Sequence, residues 1–222
     1  MTRITIACLD MAGTTVADDG IVMASFTSAL SAEHLPAEAH ERAMRIAVET
    51  MGQSKIAVFR QIFGSEGVAQ RVNVAFEDHY AGQVKAGRID ALPGAAETIK
   101  ALRDGGVRVC LTTGFSPVTR DAIIEVLGWT GQIDLALSPV DAGRGRPAPD
   151  MPLTALLRLH GDAVSDLAVA GDTPSDIESG LRAGAGLVAG VLTGMGTRAD
   201  FEQAGAPLIL DTIADLIPAV FP

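Results

Sequence analysis

The chain has 222 residues, of which 48% are hydrophobic, 20% charged and only 4% aromatic. That is enough apolar content for a sizeable core of Ala, Val, Leu and Ile, and too much for a disordered segment. A net charge of −10 opposes a nucleic-acid footprint, which needs a clustered positive surface. An anionic substrate would then need local help from a metal, a few Arg or Lys, and backbone N–H groups.

In chain order, residues 3–9 form an apolar run that predicts a strand stopping at Asp10. The strand-like run starts at Ile4, which leaves no secretory signal in view. The helical patterns at 21–33, 37–51, 55–63 and 67–86 have no convincing strand between them. From there the pattern alternates: helix 95–104, strand 107–111, helix 117–127, strand 133–137, helix 149–160, strand 167–170 and helix 175–183. Strands 187–192 and 208–210 complete the set. Strands alternating with helices predict a doubly wound α/β fold with a mostly parallel sheet. The helical interval after the first strand reads as an inserted lid. The expected division is a core of residues 1–16 and 92–222 and a cap of residues 17–91, hinged near 17–20 and 87–92. Segment 183–197 is too short and too Gly-rich to cross a bilayer. Cys8 and Cys110 fall in strand-like runs, as free thiols in a reducing cytoplasm would.

Four loops carry reactive residues at strand ends, where open α/β sheets bind ligands. Asp10-Met11-Ala12-Gly13-Thr14-Thr15 sets a carboxylate beside a nest of backbone N–H groups, or forms a plain Asx turn. Gly171-Asp172-Thr173-Pro174-Ser175-Asp176 offers two carboxylates that, with Asp10, suit a hard cation such as Mg²⁺. It reads equally as a helix N-terminus with Ser175 as cap. Leu111-Thr112-Thr113-Gly114-Phe115 offers hydroxyl and N–H groups to a phosphoryl oxygen. Arg144-Gly145-Arg146-Pro147-Ala148-Pro149-Asp150 sets an arginine before a Pro-started helix. Each alone is weak; the four in this order are far more specific.

That order resembles the haloacid dehalogenase superfamily over essentially the whole chain. The resemblance implies a Rossmann-like hydrolase core with an inserted helical cap, and Asp10 as a covalent nucleophile. It further implies Mg²⁺ held by Asp10, the Ala12 carbonyl and Asp172, with support from Asp176. Thr113 (or Thr112), Gly114 and Arg146 would bind the transferring group.

Two departures narrow the substrate. Most phosphatases of this superfamily carry a second aspartate where Ala12 stands, to protonate the leaving oxygen. A carbon–phosphorus bond does not need that proton; it needs an electron sink for a carbanion. No lysine lies beyond Lys100, so Arg146 is the basic residue of the third loop, and its fork suits carboxylate or phosphonate oxygens. With Met51-Gly52-Gln53-Ser54-Lys55-Ile56, these features resemble the phosphonoacetaldehyde hydrolases (phosphonatases), in which the matching cap lysine forms a Schiff base with the substrate aldehyde. Lys55 would take that role, with Met51 and Phe115 lining the substrate pocket. Gly52 can end one helix and Ser54 cap the next, leaving Lys55 in a first turn whose dipole lowers its pKa toward the neutral amine that imine formation needs.

The sequence departs from that family in having Val58 where a histidine is expected and Phe115 where a tyrosine is expected. An expected cysteine in the first cap segment is missing. His34, His40 or His79 could face the cleft from the cap. The resemblance implies a small phosphonate or phosphate substrate, no nucleic-acid or membrane partner, and a homodimer through the cap. A phosphomonoesterase on the same fold and a catalytically idle phosphate-binding protein remain as rivals. Ala12 argues against the first, and retention of Asp10, Asp172 and Asp176 against the second.

Overall fold

The computed structural model describes residues 3–222. In chain order the elements begin with β1 (Ile6–Asp10), α1 (Ile21–Ser31), α2 (Ala37–Glu49), α3 (Lys55–Phe63) and α4 (Glu66–Lys85). Next come α5 (Ala95–Asp104), β2 (Arg108–Thr112), α6 (Pro117–Val126), β3 (Leu135–Leu137), α7 (Pro139–Ala142) and α8 (Asp150–Arg158). The chain finishes with β4 (Leu167–Gly171), α9 (Pro174–Ala183), β5 (Leu187–Val191), α10 (Arg198–Gln203), β6 (Leu208–Leu210) and α11 (Leu216–Val220).

The six strands form one sheet in the order β3-β2-β1-β4-β5-β6, and every pairing is parallel. Parallel strands carry helices on both faces, so the inner ones read as unbroken apolar runs. β1 and β4 are buried at every residue. β1 sits between β2 and β4, where the strand order reverses direction, and such a switch point opens a crevice at the carboxyl ends of the strands. The loops after β1, β2 and β4 therefore meet at one edge, with Asp10 in register with Thr112. The sequence expectation of a doubly wound α/β fold holds.

Helices α1–α4 lie between β1 and α5, with α1 and α3 packed on α4. The scarce aromatic residues concentrate there. The Phe26 ring lies 5.3 Å from Phe59 and 4.8 Å from Phe76, centroid to centroid. The chain leaves the sheet and returns to it side by side: Ala17 N–H donates to the Asp90 carbonyl at 2.9 Å, and Leu92 N–H to the Thr15 carbonyl at 3.0 Å. Between them Val16 and Ala91 form an antiparallel bridge.

Boundaries differ from expectation by one to three residues. Asp10 is the last residue of β1 rather than the first of the loop, and α1 stops at Ser31, shortly before His34 takes a left-handed conformation at φ 50°. The short helices α7, α10 and α11 had not been expected, because pieces of four to six residues are too short to display a helical period. Cys8 and Cys110 are buried free thiols paired in register on neighbouring strands. Among the described residues no helix is long and apolar enough to cross a membrane.

Candidate active site

Asp10 is buried at the end of β1, and the loop behind it winds on itself. The N–H groups of Thr14, Thr15 and Val16 all donate to the Met11 carbonyl, at 3.1, 2.9 and 2.8 Å, and Gly13 N–H donates to the Val16 carbonyl at 2.8 Å. These donors are spent inside the loop, so the broad anion nest expected there from the sequence is not formed by residues 13–16. The loop instead makes room for a second carboxylate. Gly13 stands at φ 83°, and a Cβ there would overlap the Asp172 carboxylate, as would a Cβ on the neighbouring Gly194.

Asp172 follows β4, and one of its oxygens accepts the Met195 N–H at 2.9 Å. Burial, then the charge of Asp10, pushes its pKa up to about 7. Asp176 lies in the first turn of α9, where it accepts Thr173 N–H at 3.1 Å and the Thr173 hydroxyl at 2.5 Å. Thr173 is thus the cap residue of this helix, not Ser175. Asp10, Asp172 and Asp176 each offer an oxygen within 4.8 Å of the others, and all three are buried.

A single guanidinium faces these carboxylates. Arg146 Nη1 lies 2.6 Å from Asp10 Oδ1 and is also bonded to Asp176. Its Nε is buried with no hydrogen-bond partner among the described residues, a donor without an acceptor in the protein. Three buried carboxylates against one fixed cation leave excess negative charge, and an all-oxygen donor set suits a hard divalent ion.

A cavity of about 250 Å³ opens on this cluster. Ala12, Thr113, Gly114, Phe115, Arg146 and Asp172 line it from the sheet side, and Met51 and Lys55 from the helical side. Of the two threonines, Thr113 reaches the cavity, and its hydroxyl accepts Phe115 N–H at 3.2 Å. Thr112 is not in the lining, and its hydroxyl points back to the Leu9 carbonyl at 3.5 Å. Gly114 is where the two sides touch. Its carbonyl accepts Lys55 N–H at 3.3 Å, and a Cβ on it would collide with the Gln53 carbonyl.

Lys55 begins α3 and is only 6% exposed. Its Nζ lies 5.5 Å from the Phe26 ring centroid, 5.8 Å from Phe76 and 5.5 Å from Phe115. Such faces attract a cation, yet they also displace the water an ammonium prefers. Burial is the larger influence. With the charge of Arg146 it lowers the amine to about 8, against the opposing carboxylates of Asp10, Asp18 and Glu77. Ser54 stands at the N-cap as expected, but its hydroxyl makes no capping hydrogen bond.

No histidine lines the cavity. His79 pairs its Nδ1 with the Ser25 hydroxyl at 2.9 Å, and His40 lies along a separate groove on α2. Val58 is buried in the core. The Phe115 ring packs 4.4 Å from Tyr80. Three features went unread in the sequence. Phe26 and Phe76 carry no signal that separates a lysine cage from ordinary core. Asp18 lines the cavity and accepts Val22 N–H at 3.0 Å; an Asp just before an apolar helix was its only signal. Glu77 of α4 accepts Ser116 N–H at 3.1 Å and the Ser116 hydroxyl at 2.7 Å, and it also accepts the Thr119 hydroxyl, so it ties α4 to the start of α6.

Comparison with known proteins extends this picture. The haloacid dehalogenase-like hydrolase family matches residues 4–184. The chain is 28% identical over 214 residues to "Probable phosphatase IndB" of Dickeya dadantii, covering 95% of this chain and 90% of that protein. It is 28% identical over 168 residues to a phosphonoacetaldehyde hydrolase of Parabacteroides distasonis, covering 64% of this chain and 62% of the relative. In three dimensions it is similar to a hydrolase from Pseudomonas syringae, with a TM-score of 0.85 at 24% identity, over 99% of this chain and 98% of that one. The family match, the sheet order and the acidic cluster at its switch point agree: the chain belongs to the haloacid dehalogenase-like hydrolases.

Proposed function

We propose that this hydrolase cleaves the carbon–phosphorus bond of phosphonoacetaldehyde or a related 2-oxoalkylphosphonate. The observation that carries the reading is Lys55, a buried amine lowered to about 8 that shares one cavity with Asp10 and Arg146. Lysines are almost never buried without a purpose or a partner, and a neutral amine is what imine formation requires.

In this reading residues 17–91 form the cap over a core of residues 1–16 and 92–222. Lys55 condenses with the substrate carbonyl to give an iminium ion. Asp10 attacks phosphorus in line, and the C–P electron pair flows into the iminium, leaving an enamine. Arg146, Thr113 and Gly114 grip the phosphoryl oxygens, and Met51 and Phe115 enclose the carbon side. Asp10, the Ala12 carbonyl and Asp172, backed by Asp176, would hold Mg²⁺, which offsets the negative charge crowded between carboxylate and phosphonate. Water then hydrolyses the aspartyl phosphate and the imine. Buried free thiols support a reducing, cytoplasmic setting, and the family resemblance supports a homodimer through the cap.

A relative described as a phosphatase, matched over 95% of this chain, supports a second reading, hydrolysis of a small phosphate ester. Ala12 opposes it, since an alkoxide would leave without an acid. Phosphate release from phosphonoacetaldehyde and from p-nitrophenyl phosphate, measured side by side with and without Mg²⁺, separates the two. The phosphonate should be strongly preferred, and Lys55→Arg and Asp10→Asn should each abolish its turnover. Normal turnover by Lys55→Arg would end the carbon–phosphorus reading and leave the ester reading.

A further inference from the structure

The carbonyl half of the proposed reaction needs a group that moves protons at oxygen, and Val58 stands where the family resemblance expects a histidine. The cavity lining contains six charged side chains: Asp10, Asp18, Asp19, Lys55, Arg146 and Asp172. Asp10 and Asp172 belong to the acidic cluster with Arg146 among them, and Lys55 is the amine. Asp19 is exposed and left-handed at φ 44°. Asp18 remains.

We propose that Asp18 is the acid–base residue for making and breaking the Lys55 imine, an inference that rests on the carbon–phosphorus reading above. Its carboxyl is partly buried at the mouth of α1, and the Val22 N–H fixes it from behind at 3.0 Å. It lines the same cavity as Lys55, its charge acts on that amine, and among the charged groups it has the largest influence on the Tyr80 hydroxyl, ahead of Asp10 and Glu77. Both partners sit on the aromatic cage: Phe115 faces the lysine and packs on Tyr80. Asp18 and Lys55 thus share the cavity in which the carbonyl would meet the amine.

The other polar groups around the lysine cage are less suited. Glu77 is committed to Ser116 and Thr119. Burial and the surrounding carboxylates raise the Tyr80 hydroxyl, so it is a poor acid. His79 is engaged with Ser25. Burial also raises Asp18, against the pull of the Val22 N–H and Lys55 and with a small push from Asp19, so it holds its proton to higher pH than an ordinary carboxyl.

The chemistry balances without any further reactant. Lys55 adds to the carbonyl carbon to give a carbinolamine. The Asp18 carboxylic acid gives its proton to the carbinolamine hydroxyl, the C–O bond breaks to release water, and the nitrogen lone pair closes the C=N bond of the iminium. After C–P cleavage, the proton freed when water hydrolyses the aspartyl phosphate goes to the enamine carbon. A second water adds to the product iminium to give a carbinolamine that collapses to the aldehyde and the Lys55 amine. The Asp18 carboxylate takes the proton of that water and returns to the acid form.

The test is borohydride trapping with phosphonoacetaldehyde and Mg²⁺ on the full chain, with the Lys55 adduct followed in time by mass spectrometry. Asp18→Asn keeps the acceptor for Val22 N–H but cannot donate a carboxyl proton. It should form the adduct and release phosphate on the order of 100-fold more slowly, with the thermal midpoint unchanged and partial recovery in Asp18→Glu. Trapping by Asp18→Asn at the normal rate overturns the role of Asp18 and leaves Lys55 in place. Slow trapping with a parallel fall in thermal midpoint also overturns it, since Asp18 would then serve only as the cap of α1. Absence of any Lys55 adduct in the unaltered protein overturns the carbon–phosphorus reading itself.

Discussion

The backbone N–H of Lys55 donates to the carbonyl of Gly114 at 3.3 Å, so the residue that opens α3 is fastened directly to the loop after β2. The two backbones lie so close that a Cβ on Gly114 would strike the Gln53 carbonyl. Neither partner can yield easily, because both are main chain. Gly114→Ala should therefore hold α3 off the core loop while each half folds normally. Displacement by about 1 Å can cost on the order of 100-fold in rate. We expect a loss of that size in phosphate release, with an unchanged far-ultraviolet spectrum; full activity would show that the contact is dispensable.

Glu77 is a second fastening between the same halves. It accepts a backbone N–H and a hydroxyl from Ser116 and the Thr119 hydroxyl, so its carboxylate sits at the N-terminus of α6, where a negative charge is favoured. Glu77→Ala leaves these donors without that acceptor and should lower stability by about 1–3 kcal/mol. It should also raise KM more than it lowers kcat, since substrate binding would have to close the two halves without help. Denaturant unfolding and steady-state kinetics measure the two effects separately.

The division of labour between these residues explains what could be read in the sequence. Asp10, Thr113, Arg146 and Asp172 stand at fixed offsets from strand ends, and parallel β-pairing turns those offsets directly into proximity. Lys55 was legible through the run from Met51 to Ile56. Phe26, Phe76 and Glu77 were not, because their partners come from other elements. On its own helix Phe76 is one more apolar residue of a buried face, and Glu77 one more charge beside it. Asp18 shows in the sequence only as an Asp before an apolar helix, and it accepts a first-turn N–H of α1. Its second aspect exists only because α1 starts beside the cavity.

The acidic cluster should not respond evenly to truncation. Asp172 accepts the Met195 N–H between the close flanks of Gly13 and Gly194 and has no ion pair among the described residues, so its charge suits a metal. Asp176 is already engaged by Thr173 and Arg146. Asp172→Ala should weaken Mg²⁺ binding at least tenfold, about 1.4 kcal/mol, as measured by calorimetric titration. Asp176→Ala should weaken it less and cost more in stability, because it frees Arg146 and removes the N-terminal hydrogen bonds of α9. Equal effects on Mg²⁺ would show that Asp176 is itself a direct ligand.

The metal-free protein should also reveal Asp172 through pH. Its carboxyl keeps a proton up to about pH 7 in the folded state, against an ordinary value of 3.8. Between those values the native state binds more protons than the unfolded chain, so stability falls as pH rises and stays low above the window. In chelator the thermal midpoint should drop from about pH 4 to 7. Asp172→Asn should remove most of that slope, and Mg²⁺ should raise the midpoint more at high pH than at low. A difference between the two proteins that does not vary with pH would rule out this origin.

The antiparallel bridge between Val16 and Ala91, with its flanking hydrogen bonds from Ala17 to Asp90 and from Leu92 to Thr15, has a mechanical consequence. Two independent linkers would let the helices they carry rock, twist and slide. Two linkers bonded edge to edge behave as one ribbon, stiff within its own plane and compliant only across it. Any swing of the four helices would therefore turn about this ribbon, just beyond the carboxyl end of β1 and a few residues from Asp10. Such a hinge would carry Lys55 along nearly one arc, back to the same carbonyl of Gly114.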